Sequence, residues 1–494
     1  MNSPSFNEAS EKFLQWFQSL PGATFSNAIK IVDLRDRNAG RGIIALQDIA
    51  PETTLFTIPR RGIINVETSE LPKKLPDIFD LDGHVSDDED EDAVPPMDSW
   101  SSLILVMIYE YLQGDKSTWK PYFDVLPSAF DTPMFWSDDE LEQLQSSHMR
   151  SKIGKASAEE MFRGRLLPVI RKNASLFPSS ESKSDEDLVE VAHKMGSTIM
   201  AYAFDLEKDE DADEGDAPDG WVEDRDGKSL MGMVPMADVL NADAEFNVQK
   251  SIDPSPKYLA NMMQAHVNHE EESLTVTSLR PIKAGEEILN YYGPHPNSEL
   301  LRRYGYVTER HSRYDVVEIP WELVESTMTI HFGIPNGTLE NLRNELEEEE
   351  DFEDTFVLER ETGEVNSDGT FPGPARFEAM PEDLQQQLKA FLKGVKKAQP
   401  DAIPDKRKRD EIQQAVQAKT LQALMSRYPT SIFEDELLLK RNDLNRRARM
   451  AIEVRLGEKK LLREAITTIS ADNDVEMTVG EEESGPAKRV KRSA

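Results

Sequence analysis

Asn290-Tyr291-Tyr292-Gly293, followed shortly by Tyr304-Gly305-Tyr306, is the stretch on which the reading of this chain turns. Just upstream, Arg280-Pro281-Ile282-Lys283-Ala284-Gly285-Glu286-Glu287-Ile288 reads as strand, tight turn and strand, with Gly285 at the turn and apolar residues alternating. A short helix between the two tyrosine clusters lets aromatic hydroxyls from either side converge on one pocket. A channel with aromatic walls and polar tips suits an amine chain held by its methylenes and its nitrogen. Taken alone, tyrosines near strand ends are usually packing residues with a wet hydroxyl.

Two further segments sharpen the reading. Asn38-Ala39-Gly40-Arg41-Gly42-Ile43-Ile44-Ala45 lies near the N-terminus and Pro235-Met236-Ala237-Asp238-Val239-Leu240-Asn241-Ala242 lies mid-chain. A lone GxG marks any hairpin or bulge. The order GRG, PMADVLN, GEEILNYYG, RRYGYV is specific as a set. In that order the chain resembles the SET-domain protein lysine methyltransferases. Within them it is most similar to the subgroup with a helical insertion and a Rubisco-methyltransferase-type C-terminal domain, above all the fungal ribosomal-protein lysine methyltransferases. The resemblance runs from about Phe13 to about Ile466.

Composition sets outer limits. At 494 residues the chain exceeds one ordinary core, so two domains and unpacked segments are expected. Its charges gather at Ser86–Asp92, Glu207–Asp226 and Glu345–Asp354, runs that repel themselves and read as disordered loops. A net charge of −36 argues against direct binding of nucleic acid and fits a basic protein partner, which a negative field steers and concentrates. With no cysteine, disulfides and thiolate-ligated metals are excluded, as are the zinc clusters that flank many histone-directed SET enzymes. His148, His193 and His269 read as surface or packing residues, and no metal is expected. The apolar run Leu103–Tyr109 breaks at Glu110, too short to span a bilayer, so a soluble intracellular protein without membrane contact is expected.

The periodicity predicts an opening amphipathic helix over Phe6–Leu20 and short strands at Ile29–Leu34, Ile43–Leu46 and Thr54–Ile58. A buried helix follows over Ser99–Gly114, and helical texture continues through Asp138–Ser147, Ala158–Ser175 and Leu188–Phe204. Strands return at Ser229–Val234, Tyr258–Val267 and Leu274–Leu279, and long charged helices at Met380–Lys397, Arg407–Arg427 and Leu444–Ile469. The fold class is therefore α+β. By resemblance it is a β-rich SET catalytic domain over 1–319, with a helical insertion at about 100–200 and acidic loops at 86–92 and 207–226. An all-α substrate-binding domain is expected over 320–470, and a disordered tail with a basic end over 471–494.

Lysine methylation is an in-line displacement of a sulfonium methyl by a neutral amine. The protein has to align the two reactants, exclude water and favour the deprotonated amine. No nucleophile or base dyad is required. By resemblance, Ala39, Gly40, Arg41 and Gly42 form the loop against which S-adenosyl-L-methionine lies, and Asn241 and Ala242 its second contact. Ala242 stands where the family carries histidine, which puts any ring contact there in doubt. Tyr292 matches the catalytic tyrosine and Tyr304 the second pocket tyrosine, facing both cofactor and lysine. Tyr202 and Phe204 match the aromatic wall, Tyr202 on the cofactor side and Phe204 on the substrate side. Asp238 lies at the substrate-side contact, or is a helix-start cap. The competing reading is a SET-fold scaffold for basic proteins that has lost turnover through Ala242. Pro486-Ala487-Lys488-Arg489-Val490-Lys491-Arg492 resembles a monopartite import signal, so an import receptor and a nuclear location, with cytoplasm as an alternative, are expected.

Overall fold

The computed structural model describes residues 5–37, 39–79, 97–206, 230–243, 265–291, 293–347, 352–363, 373–403 and 405–482. The acidic segments 86–92 and 207–226, the basic end after 482, and Asn38 and Tyr292 lie outside the described residues.

Helix α1 (Phe6–Ser19) begins where the Ser5 hydroxyl accepts from the Glu8 amide, and it buries Phe13 and Phe17, one turn apart. Strands β1 (Thr24–Phe25) and β4 (Thr54–Pro59) share a four-stranded sheet with β9 (Ser273–Ser278) and β8 (Ala265–His269), in the order β1-β4-β9-β8. Strands β2 (Ile29–Asp33) and β3 (Arg41–Ala45) form an antiparallel hairpin whose free edge is taken by β10 (Glu287–Ile288). Two smaller ladders complete this half. Strand β5 (Ala203–Asp205) pairs with β6 (Met231–Met233), and β7 (Ala242–Asp243) runs parallel to β11 (Asn290–Tyr291). Consecutive strands β10 and β11 thus join two different sheets.

Between β4 and β5 the chain is helical. Helix α2 (Ser99–Gln113), capped by Asp98 and stopped at Gly114, is buried on nearly every side, as its unbroken apolar run predicts. Glu110 within it is held by Ser69 and Ser117 hydroxyls, each at 2.8 Å. Helix α3 (Asp185–Tyr202) starts at a Ser184–Asp187 capping box and packs on α2. Helix α4 (Asn297–Tyr304) follows β11 and closes at Gly305, whose φ of 74° a side chain rarely adopts.

The C-terminal half has its own core around Trp321, Phe356, Leu388, Phe391 and Leu461, with the Trp321 and Phe391 rings 4.5 Å apart. It contains helices α5 (Trp321–Phe332), α6 (Asn336–Glu347), α7 (Glu382–Ala398), α8 (Lys406–Ser426), α9 (Ile432–Leu439) and α10 (Arg446–Glu482). The α+β class holds, with three corrections to the sequence reading. Strand β13 (Thr355–Leu358), expected nowhere, pairs with β12 (Val317–Pro320), because alternate residues Phe356 and Leu358 are buried. The acidic run from Glu345 begins as the last turn of α6 rather than as loop. Helix α10 continues to Glu482, past residue 470 where a disordered tail is expected.

A third, smaller apolar seam joins the halves. Met450, Ala451 and Val454 of α10 pack against Trp136, Leu144 and Met149 of the helical insertion and against Leu301 of α4. The long C-terminal helix therefore braces the short helix that ends in Tyr304. No described helix is long and apolar enough to cross a membrane.

Candidate active site

Gly42 is where the distant motifs meet. A β-carbon there would stand 2.5 Å from Leu34 Cδ1, 2.8 Å from Glu287 Oε1 and 3.0 Å from Asn241 Nδ2. Only glycine leaves the mid-chain asparagine and the GEE glutamate room to reach the β2–β3 hairpin. The Asn241 amide donates to the Arg41 carbonyl at 3.0 Å and to Glu287 Oε1 at 2.7 Å, and the Asn241 carbonyl accepts from the Asn290 amide at 2.8 Å. One side chain thus ties the GRG, PMADVLN and GEEILNYYG segments together.

The hairpin turn itself is backbone-built. Ala39 N–H donates to the Leu34 carbonyl, Leu34 N–H donates to the Gly40 carbonyl at 2.8 Å, and Gly40 sits at φ 67°. Ala242 contributes its main chain to the ladder opposite Asn290. The Arg41 side chain leaves the cradle and clamps the N-terminal helix. It donates to the Ser10 hydroxyl and the Val125 carbonyl, both at 2.8 Å, with its guanidinium 3.9 Å over the Phe6 ring. Of the GRG loop, then, backbone faces the motif junction while the arginine fixes what lies behind it.

A second cluster lies beside the first. Asp238, three residues before Asn241, accepts from the Tyr122 hydroxyl through Oδ2 at 2.5 Å. Its Oδ1 is buried without a hydrogen-bond partner among the described residues. Burial raises the Asp238 carboxyl to about 7, against the opposing pull of the Tyr122 hydroxyl, nearby backbone amides and the Arg41 cation. Burial and the Asp238 charge push the Tyr202 phenol to about 12 and Tyr122 well above its ordinary value. Tyr306 is raised in turn by burial and by Tyr202. Its ring centre lies 6.1 Å from that of Tyr304. A β-carbon on Gly305, between these two tyrosines, would come within 2.9 Å of the Asp131 backbone, so the turn is pinned against the helical insertion.

The structure thus brings Gly42, Asn241, Ala242, Asp238, Tyr202 and the Tyr304–Tyr306 turn into two adjoining clusters. Asp238 is a carboxylate paired with Tyr122 rather than the side-chain cap of a helix; no side-chain cap bond is made at that turn. Phe204 lies on β5 opposite Gly232, packed against the core two residues beyond Tyr202. Tyr292 lies outside the described residues, although Asn290 and Tyr291 leading to it are fixed on β7. Sequence reading missed Tyr122, Tyr306 and Glu287 as site residues. Tyr122 sits in a one-turn helix, Lys120–Phe123, and meets its partner across 116 residues, which no local pattern signals.

The candidate site is thus a β-hairpin cradle beside a parallel ladder, with buried tyrosines around one carboxylate. The SET-domain family model matches residues 40–293, just over half of the chain, and a model described as Rubisco LSMT substrate-binding matches 342–462. The chain belongs to the SET-domain family. It is similar to ribosomal lysine N-methyltransferase 4 of Saccharomyces cerevisiae, 33% identical over 319 residues, or 64% of this chain and 58% of that one. It is also similar to N-lysine methyltransferase setd6 of Xenopus laevis, 28% identical over 54% of this chain and 50% of the relative. Human N-lysine methyltransferase SETD6 is 25% identical over 87% of this chain and 85% of its own length. The chain therefore spans about half the length of the first two relatives. Among solved structures, Rubisco LSMT bound to sinefungin and monomethyllysine shares the fold, with a TM-score of 0.62 at 20% identity over 95% of this chain and 93% of that one.

Proposed function

We propose that this protein is an S-adenosyl-L-methionine-dependent protein-lysine N-methyltransferase whose substrate is a basic protein, in the first place a ribosomal protein. The observation that carries the reading is the convergence on Gly42, where glycine, Asn241 and Glu287 shape a main-chain cradle beside a tyrosine-walled carboxylate. The yeast relative's name points to a ribosomal substrate and the net charge of −36 suits one.

The residues present fit the cofactor: Gly40 leaves open space at the hairpin turn for close approach, and Asn241, packed on Gly42, and the Ala242 main chain lie alongside. Bound there, the cofactor supplies a methyl group already activated by its sulfonium charge. Tyr202, Tyr304 and Phe204 wall the amine channel and exclude water. Asp238 faces the incoming ammonium, and the apolar surroundings lower the amine's hold on its proton once it passes inward. Tyr292 takes the aligning role by its place in the NYYG motif. No base dyad is needed, since alignment and desolvation carry the rate.

The first test is a thermal melt with S-adenosylhomocysteine. A cofactor-binding enzyme rises in midpoint as ligand is added, whereas a flat melt excludes the cofactor site and favours a SET-fold scaffold. Nuclear accumulation through Lys488–Arg492 and an import receptor is part of the proposal. A fluorescent fusion lacking those residues shifts to the cytoplasm if it holds, and keeps its nuclear signal if it does not.

A further inference from the structure

The helical insertion reaches the Asp238 carboxylate through the Tyr122 hydroxyl. Tyr122 is fully buried and packs at a tilt against Phe13 and Phe123, with ring centres 5.9 and 6.3 Å away, so its ring is held in place. Its hydroxyl meets Asp238 Oδ2 at 2.5 Å, the length of a strong charge-assisted bond. With Oδ2 taken, the carboxylate is fixed about its Cβ–Cγ bond and presents Oδ1, which is buried and lacks a well-formed hydrogen bond among the described residues, with the Met236 and Asp238 main-chain amides near enough to favour its charge. A buried acceptor left open costs free energy unless a donor arrives. The groups facing this carboxylate are few. Arg41 on β3 and Tyr202 at the end of α3 interact with it electrostatically, but the Arg41 guanidinium is spent on Ser10 and Val125.

Resting on the lysine-methyltransferase reading, we propose that Tyr122 is a positioning residue for substrate recognition. It holds the Asp238 carboxylate oriented so that Oδ1 accepts a hydrogen bond from the lysine ammonium entering the channel. The insertion thereby sets which charge the pocket accepts, while Phe13 on α1 fixes the Tyr122 ring.

Linkage gives the sign of the effect. The Tyr122 hydrogen bond lowers the Asp238 carboxyl against the rise imposed by burial. Deleting the hydroxyl lifts the carboxyl further, so a greater part of the protein carries a neutral Asp238 near neutral pH. The test compares wild type, Tyr122→Phe and Asp238→Asn in initial rates at limiting substrate, with ribosomal proteins extracted from cells lacking this chain. In Tyr122→Phe the ratio of the rate at about pH 9 to that at about pH 6.5 should rise at least roughly fivefold, and Asp238→Asn should lose this limb. A uniform loss across pH, as a purely structural tyrosine gives, overturns the proposal. A carbon-13 titration of the Asp238 carboxyl in aspartate-labelled protein, assigned with Asp238→Asn, reads the same shift without substrate. An unchanged titration in Tyr122→Phe overturns the positioning role even if no substrate is methylated, and an upward shift supports it. Absence of methyl transfer by wild type with every ribosomal fraction counts against the lysine reading itself.

Discussion

Gly457 and Asp315 lie so close that a β-carbon on Gly457 would stand 2.0 Å from Asp315 Oδ2. The Asp315 carboxylate in turn accepts from the Asn297 amide and side chain, each at 3.2 Å, and Asn297 opens the helix that ends in Tyr304. The C-terminal helix α10 thus presses its bare backbone onto the anchor of a site-bearing helix. Gly457→Ala should destabilise the protein. An alanine gains about 1 kcal/mol of helix propensity, but overpacking costs roughly 1–3 kcal/mol and the contact here is with a buried, fixed carboxylate. A lowered melting midpoint, partly restored by adding Asp315→Ala, is the expected result, and a raised midpoint in the single variant contradicts it.

The same interface should loosen as pH rises. Burial lifts the Asp315 carboxyl to about 7. Burial pulls His148 down, but its contact with Glu458 at 3.1 Å outweighs that and leaves it raised. For both groups the folded state binds protons more tightly than the unfolded state. Their stabilisation is complete below the unfolded values, about 4 for the carboxyl and about 6.5 for the imidazole, and is lost as pH climbs through the folded values. Asp315→Asn should therefore lose less stability than wild type between about pH 6 and pH 8, by about 1 kcal/mol or more. Denaturant midpoints at the two pH values check this; parallel losses in the two proteins contradict it.

Asp435 is buried between two cations, with Arg455 Nη2 at 2.7 Å and the Lys459 ammonium also in contact. Burial raises this carboxyl, yet its hydrogen bonds to Arg455 and Lys459 outweigh that and hold it below the usual range. Asp435→Ala leaves both cations buried and should cost about 3–5 kcal/mol. Urea denaturation measures the loss, and a change below about 1 kcal/mol would show the cations finding other partners.

In the cradle, Gly42→Ala should weaken S-adenosylhomocysteine binding by about tenfold or more, since the new carbon displaces Asn241 or Glu287. Ala242→His, by contrast, should leave the constant within about tenfold, because that position contributes main chain to the β7–β11 ladder. Calorimetric titration of the two variants tests both statements. Equal losses would contradict the distinction between them.

The sequence carried the α+β class and the order of four motifs. It carried the buried helix too, because an unbroken apolar run from Leu103 to Tyr109 has only one comfortable place. What it withheld depends on contacts distant in sequence. The Tyr122–Asp238 bond, the Asn241–Glu287 bond and the Gly457–Asp315 approach join residues 116, 46 and 142 apart, and none leaves a periodic trace. Strand β13 was hidden by the acidic run before it, whose charge reads as loop although alternate residues Phe356 and Leu358 reach the core. Arg41 was legible as part of a motif, but its side chain's turn toward α1 is settled only by Ser10 and Phe6.

Methyl transfer itself is the most direct measurement of what this site does. Purified protein, radiolabelled S-adenosylmethionine and ribosomal proteins from cells lacking the chain are combined, and labelled bands are mapped by mass spectrometry. The expected result is methylation of a lysine in a basic ribosomal protein, abolished in Tyr292→Phe while S-adenosylhomocysteine binding persists. Label on no lysine, or undiminished transfer by Tyr292→Phe, would contradict it.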